Sequence, residues 1–471
     1  MSGPESPASI SIDRPPLLQP VSADSSALLA LHAAFPDRYP ALFESAAAGN
    51  ASTRFDILFA HPQARLSLRR DRRLSVNSGS HDERFLPALD RWWQSERSQA
   101  AAGHELPFTG GWLLYLGYEL AGEIEPRLRL PPPTRGSIAS AIRVPAAIVH
   151  ERNSGQSWLM AEAAFEPLLA RMARDLARVP ALAAPGVPLV TGGVVEETPE
   201  KFLRSVERAL EYVAAGDIYQ ANLSRSWQAQ LSAGVAPQHL YQRLRETNPA
   251  PFSGIVRLED ITIVSSSPER LVSVRGGRVS TRPIAGTRPR GQTAEADVDL
   301  ARELHAHPKE RAEHVMLIDL ERNDLGRICE AGTVKVDELM TIESYAHVHH
   351  IVSNVSGRLR ANATPGEVLG AVFPGGTITG CPKVRCMEII AELEGVARGA
   401  YTGSFGYLNR DGSMDTNILI RSLEVADDRL TLRAGAGIVA DSVPERELAE
   451  TRAKARGVLR ALGFDTEGAG R

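Results

Sequence analysis

Cysteine is scarce in this chain of 471 residues, which holds only Cys329, Cys381 and Cys386. Three unevenly spaced thiols make neither a disulfide framework nor a Cys-ligated zinc site, and they fit a reducing compartment. Small buried thiols are the expectation. A basic excess is missing too: 53 Lys and Arg stand against 57 Asp and Glu, for a formal net charge of −4. A surface that tracks phosphates needs the opposite balance, so nucleic acid is not an expected partner. No stretch approaches the roughly 20 consecutive apolar residues of a spanning helix. The first twenty residues, rich in proline and serine, have no apolar core of a secretory signal. These absences predict a cytoplasmic protein with no membrane partner.

What is present is enough apolar residue, 43% of the chain, for a large core or two domains. Residues 1–22 read as a disordered tail and 464–471 as a flexible one. Between them the Pro/Gly/Ala-rich stretch 179–199 reads as a linker, dividing an N-terminal domain (23–195) from a second domain (196–463). In the second, Thr198 can cap a helix that has Pro199 at its first position, Phe202, Val206, Leu210 and Val213 on one face, and Gly216 past its end. Strand character follows at 217–231, 261–265, 271–274, 333–336 and 430–432. Helical signals alternate with these irregularly, which favours large antiparallel or mixed sheets with helices outside over a doubly wound fold.

Two helices carry paired carboxylates. Glu310 and Glu313 lie three residues apart on one face, ahead of Leu317 and Leu320. Near the C-terminus Pro444 opens a helix on which Glu447, Glu450 and Lys454 share a face, beside an apolar face of Leu448, Ala455, Leu459 and Leu462. Glutamates at this spacing are ordinarily solvated surface. Brought together, the two pairs would repel one another unless a hard cation sat among them, and all-oxygen ligation suits Mg²⁺. Periodicity does not show whether the helices meet.

Several blocks are more specific: Gly216-Asp-Ile-Tyr-Gln-Ala-Asn-Leu, Ser265-Ser-Ser-Pro-Glu-Arg, Arg282-Pro-Ile-Ala-Gly-Thr-Arg-Pro-Arg-Gly, Glu313-His-Val-Met-Leu-Ile-Asp-Leu-Glu-Arg-Asn-Asp, Pro374-Gly-Gly-Thr-Ile-Thr-Gly-Cys-Pro-Lys-Val-Arg and Met414-Asp-Thr-Asn-Ile-Leu-Ile-Arg. In content and order they resemble the chorismate-utilising enzymes, the anthranilate, aminodeoxychorismate, isochorismate and salicylate synthases, over most of residues 195–462. The resemblance implies an α+β fold of two large packed antiparallel β-sheets surrounded by helices, with the active site between the sheets. It also pairs the acidic helices, with Glu313 and Glu450 as direct Mg²⁺ ligands and Glu310 and Glu447 contributing directly or through water.

The same resemblance assigns the remaining roles. Chorismate carries two carboxylates, and Tyr401, Arg421 and the backbone at Gly435 and Gly437 match positions that hold the pyruvyl one. Lys454 balances the carboxylate cluster. Glu269 matches the general acid that protonates the departing ring hydroxyl, and His350 matches an active-site histidine. Gly286, Thr287, Thr377 and Lys383 are expected to line the pocket.

Isochorismate and salicylate synthases have a lysine base where this chain has Gln220, which points to ammonia as the nucleophile. Aminodeoxychorismate synthases commonly have a catalytic lysine where this chain has Ala285, as anthranilate synthases do. Tyr219-Gln-Ala-Asn-Leu, Ser266-Ser-Pro-Glu, Gly375-Gly-Thr-Ile-Thr-Gly, Gly403-Ser-Phe-Gly-Tyr and Ser52-Thr-Arg-Phe-Asp-Ile nonetheless look more like aminodeoxychorismate synthase component I, and that is the preferred resemblance. Anthranilate formation is the alternative. No Gly-x-Cys-x-Gly glutaminase nucleophile occurs in the chain, so a separate glutamine amidotransferase subunit is the expected partner. Phe43-Glu-Ser and Asn248-Pro-Ala-Pro-Phe resemble the segments of a tryptophan pocket, with Ser45, Pro251 and Phe252 as candidates; a plain turn packed on the core is the other reading.

Overall fold

Strand-forming segments from the whole chain assemble into two twelve-stranded antiparallel sheets in a computed structural model that describes residues 14–46, 54–77, 79–98, 105–344 and 348–464. The first sheet runs from Leu17–Val21 through Gln156–Ala161, Ala146–Glu151, Phe55–Ala60, Ala41–Glu44, Phe252–Arg257, Thr262–Ser267, Ser422–Ala426, Arg429–Ile438 and Gln220–Leu231 to Val190–Glu196. The second runs from Ile284–Pro289 through Val348–Arg358, Arg278–Thr281, Arg270–Arg275, Met414–Asn417, Ser404–Asn409, Gly111–Leu116, Ala139–Val144, Ala64–Leu68 and Leu74–Val76 to Gly79–His81. Gly380–Cys381, paired with Gln220–Leu231, and Lys335–Ser344, paired with Val348–Arg358, are the twelfth strand of each sheet, and eleven α-helices, counted among the described residues, accompany them.

The core explains why residues 57–60 form a continuous apolar run. In Phe55–Ala60, Ile57 and Phe59 join Leu113, Tyr115, Ile142 and Phe405 of the other sheet, while Leu58 and Ala60 face a second cluster with helical Leu28, Leu31, Leu240, Leu244 and Val458. A strand buried on both faces loses the alternation that a half-exposed one shows. A third cluster packs Phe85, Leu89, Leu369, Ile318 and Leu325 of the helices on the other sheet.

Strands from both sides of residue 195 interleave in each sheet, and the composition break falls inside the edge strand Val190–Glu196. The disordered tail expected over 1–22 is corrected in part. Leu17–Val21 is an edge strand paired with Gln156–Ala161, where Pro20, lacking an N–H, is tolerated. Residues 1–13 lie outside the described residues, as do Ser52, Thr53 and 465–471; Phe464 packs on the core. The helix expected after Thr198 spans Pro199–Ala214, but the Thr198 side chain makes no capping hydrogen bond.

Two crossings between the sheets matter for chemistry. Thr262–Ser267 belongs to the first sheet and Arg270–Arg275 to the second, so Pro268 and Glu269 form the corner. Met414–Asn417 and Ser422–Ala426 make the reverse crossing, and Arg421 lies in that corner with φ +52°.

Candidate active site

Glu269 is buried where its corner meets Ile284 and Thr377. Burial pushes its carboxyl up to about 7; Thr377, the Ile284 N–H, and the charges of Lys454 and Arg421 pull the other way. The Thr377 hydroxyl faces the carboxyl closely enough to lower its proton affinity, yet Glu269 Oε1 and Thr377 Oγ1 remain buried without a completed hydrogen bond. A carboxyl that keeps a substantial protonated fraction near neutral pH, beside unsatisfied polar atoms, is the arrangement of a proton donor awaiting an acceptor.

The two acidic helices face one site. Pro308–Gly326 carries Glu310 and Glu313, and Pro444–Ala461 carries Glu447 and Glu450. Burial raises the Glu313 carboxyl first, then the charge of Glu310 and, across the site, that of Glu450; the Gln220 amide and Lys454 oppose them. Gln220 bridges helix and sheet: its Nε2 donates to Glu313 Oε1 at 3.1 Å, and a Cβ at Gly437 would lie 2.4 Å from that nitrogen. Glu450 and Glu310 also have local partners. Lys454 Nζ lies 2.7 Å from Glu450 Oε1, and Arg288 lies 3.3 Å from Glu310 Oε1. Glu447 is buried. Among the described residues no three metal-ligating side chains form a ready-made shell. The donor chemistry fits a hard cation, because facing carboxylates that raise one another's proton affinity are relieved by one.

A second region suits a carboxylate. Arg421 is desolvated enough to lower its pKa, with the Glu269 charge opposing, and no side-chain ion pair of Arg421 occurs among the described residues. Tyr401 is buried, which pushes its hydroxyl up to about 12 and keeps it a neutral donor. Gly435 lies against it: a Cβ there would sit 2.7 Å from Tyr401 Oη and 2.6 Å from Leu223 O. Only glycine fits that approach.

On the opposite sheet, Ala285 pairs with Ile351 and Thr287 with His350. Thr287 Oγ1 lies 3.0 Å from His350 Nδ1. Burial, with the Arg421 charge second, lowers the His350 imidazole to about 3, so it is neutral at working pH. Gly286, at φ +65°, lies against Glu310: a Cβ would meet Glu310 Oε2 at 2.9 Å. Glu310, Glu313, Glu450, Gln220, Glu269, Thr377, Lys454 and Arg421 are thus linked, with His350 joined through Arg421 and Lys454.

Lys383, expected to line the pocket, places Nζ 2.5 Å from Asp324 Oδ2. Asp324 lies 59 residues earlier, and no local motif announces the pair. Sequence reasoning also missed the support behind Tyr401. Glu394 binds Arg398 at 2.6 Å and Arg433 at 2.9 Å, and the two guanidinium groups lie 5.6 and 6.0 Å from the Tyr401 ring centre. The i,i+4 spacing of Glu394 and Arg398 was the one available signal.

Ser45, Pro251 and Phe252 line a separate cavity of about 100 Å³ together with Phe43, Phe405 and Tyr407. They are thus neighbours, as the resemblance implied, in a space walled by aromatic rings.

The description "chorismate binding enzyme" fits residues 39–460, and the chain belongs to that family. It is 43% identical to an anthranilate synthase component I-like protein of Synechocystis sp. over 365 residues, 76% of this chain and 73% of the relative. It is 41% identical to aminodeoxychorismate synthase component 1 of Bacillus subtilis over 394 residues, 81% of this chain and 83% of that one. The structure of anthranilate synthase component I from Streptococcus pneumoniae TIGR4 is similar with a TM-score of 0.78 at 33% identity, covering 87% of this chain and 93% of that chain. The chain is a chorismate-utilising enzyme with the two-sheet α+β fold of that family.

Proposed function

We propose that this chain aminates chorismate, using ammonia supplied by a glutamine amidotransferase subunit, and releases 4-amino-4-deoxychorismate, the precursor of para-aminobenzoate in folate synthesis. The observation that carries amination is Gln220. A water-activating enzyme needs a base at that position, and a glutamine amide donating to Glu313 cannot accept a proton from water. Ammonia is itself a nucleophile and needs no such base.

The other roles follow from charge. Arg421, Tyr401 and the backbone near Gly435 hold the pyruvyl carboxylate. Magnesium held by Glu313 and Glu450, with Glu310 and Glu447 beside them, would bind the ring carboxylate and draw electrons from the conjugated ring. Glu269 gives its proton to the C4 hydroxyl, which leaves as water. His350, neutral, orients Thr287 and the ring without competing as a cation. Glu269→Gln is expected to lower ammonia-dependent turnover by about 100- to 10,000-fold while chorismate still binds.

The choice of product rests on the distributed blocks named above; the relatives include synthases of both kinds. Ala285 favours the second reading, anthranilate and pyruvate, since no lysine occupies that position to attack the ring. Chromatography of the product from protein, chorismate, Mg²⁺ and ammonium separates them. A 4-amino-4-deoxychorismate peak supports the proposal, and anthranilate with equimolar pyruvate replaces it with the second reading.

A further inference from the structure

The segment from Pro374 to Lys383 touches the site at several points. Thr377 faces Glu269. Gly376 packs against the acidic helix: a Cβ there would come 2.4 Å from Leu320 Cδ2 and 3.5 Å from Glu321 Oε1. Gly380 and Cys381 pair with Ala221 and Gln220, and the Asn222 N–H donates to Thr379 O at 2.9 Å. One buried ion pair ties the end of this segment to the acidic helix. Lys383 Nζ lies 2.5 Å from Asp324 Oδ2, the side chains are 14% and 4% exposed, and Lys383 also donates to Val372 O at 3.4 Å.

An apolar contact could slide by a methylene with little penalty, whereas a desolvated ion pair has one register. The helix that carries Asp324 also carries Glu310 and Glu313, so a tether at Asp324 fixes the segment relative to the carboxylates. We infer that Asp324 and Lys383 are a positioning pair, whose buried contact clamps residues 374–383 to the acidic helix and thereby sets Thr377 against the Glu269 carboxyl. The role of the clamp rests on the reading of Glu269 as the acid for the departing hydroxyl.

Loss of the clamp has a signature that general loosening does not. Glu269 is faced by Thr377, the Ile284 N–H, Lys454 and Arg421, and its charge in turn acts on Glu321 of the acidic helix. Thr377 holds the Glu269 proton affinity down. Withdrawing Thr377 therefore raises that affinity, and because the protonated form is the active one, the alkaline limb of the kcat–pH profile moves to higher pH.

The experiment compares Lys383→Met, Thr377→Val and the uncharged double variant Asp324→Asn/Lys383→Met with the parent, using saturating ammonium and Mg²⁺. Lys383→Met is expected to lower kcat about a hundredfold, to leave KM for chorismate within about threefold, and to move the alkaline limb upward as Thr377→Val does. The double variant carries no uncompensated buried charge and stands in for Lys383→Met if that single variant does not fold, with the same limb displacement expected. A parental limb in the folded clamp variant overturns the inference, whether or not kcat falls. Glu269→Gln separates the two levels: full turnover there removes the acid reading itself, while its inactivity beside an unmoved limb removes only the clamp.

Discussion

Glu269 sits at a strand corner whose walls strip water from its carboxyl and raise it from 4.5 to about 7. The folded chain therefore holds a proton that the unfolded chain releases. The Glu269 contribution to stability falls as pH rises from about 4.5 to about 7 and is level outside that window. The Glu269→Gln variant, which cannot ionise, is predicted to exceed the parent in stability at pH 8 by about 3 kcal/mol, with the difference vanishing near pH 4. Urea unfolding at the two pH values checks this, and an equal gap at both contradicts it. Arg421 is the complementary case, a desolvated cation with no anionic side-chain partner among the described residues except the charge of Glu269 nearby. Charge-assisted hydrogen bonds contribute about 1.5–3 kcal/mol, so Arg421→Met is expected to raise KM for chorismate by about 10- to 100-fold. Steady-state kinetics reads that effect directly.

At the scale of elements, the helices were the most legible part of the sequence. Pro199 and Pro444 open helices where expected, and the faces Phe202/Val206 and Leu448/Ala455/Leu459 are buried. Strands were legible where they carry long β-branched or polar alternation, as in 220–231, and obscure where both faces are buried, as in Phe55–Ala60. Sheet order was not legible, because pairing Ala41–Glu44 with Phe252–Arg257 joins segments some two hundred residues apart. For the same reason the Lys383–Asp324 pair and the Glu394–Arg433 contact went unseen. The cluster around Glu394 gives its own prediction. Glu394→Ala leaves Arg398 and Arg433 buried without their carboxylate, which is expected to destabilise the fold by about 3–5 kcal/mol. Chemical denaturation measures the loss, and Glu394→Ala with parental stability contradicts the role assigned to the cluster.

On the scale of the whole molecule, the fold brings together site residues as far apart in the sequence as Gln220 and Glu450, 230 positions. Gln220 and Gly437 come from adjacent strands of one sheet, His350 and Ala285 from an edge of the other, and Glu269 and Arg421 from the crossings between them. The acidic helices close the remaining side. Chorismate amination in this frame requires that Glu313 and Glu450, 137 positions apart in the sequence, serve one ion. The direct measurement is calorimetric titration of the protein with Mg²⁺ in the presence of chorismate, for the parent, Glu313→Gln and Glu450→Gln. One site in the parent and its loss in both variants alike are expected; parental affinity in either variant contradicts a shared ion.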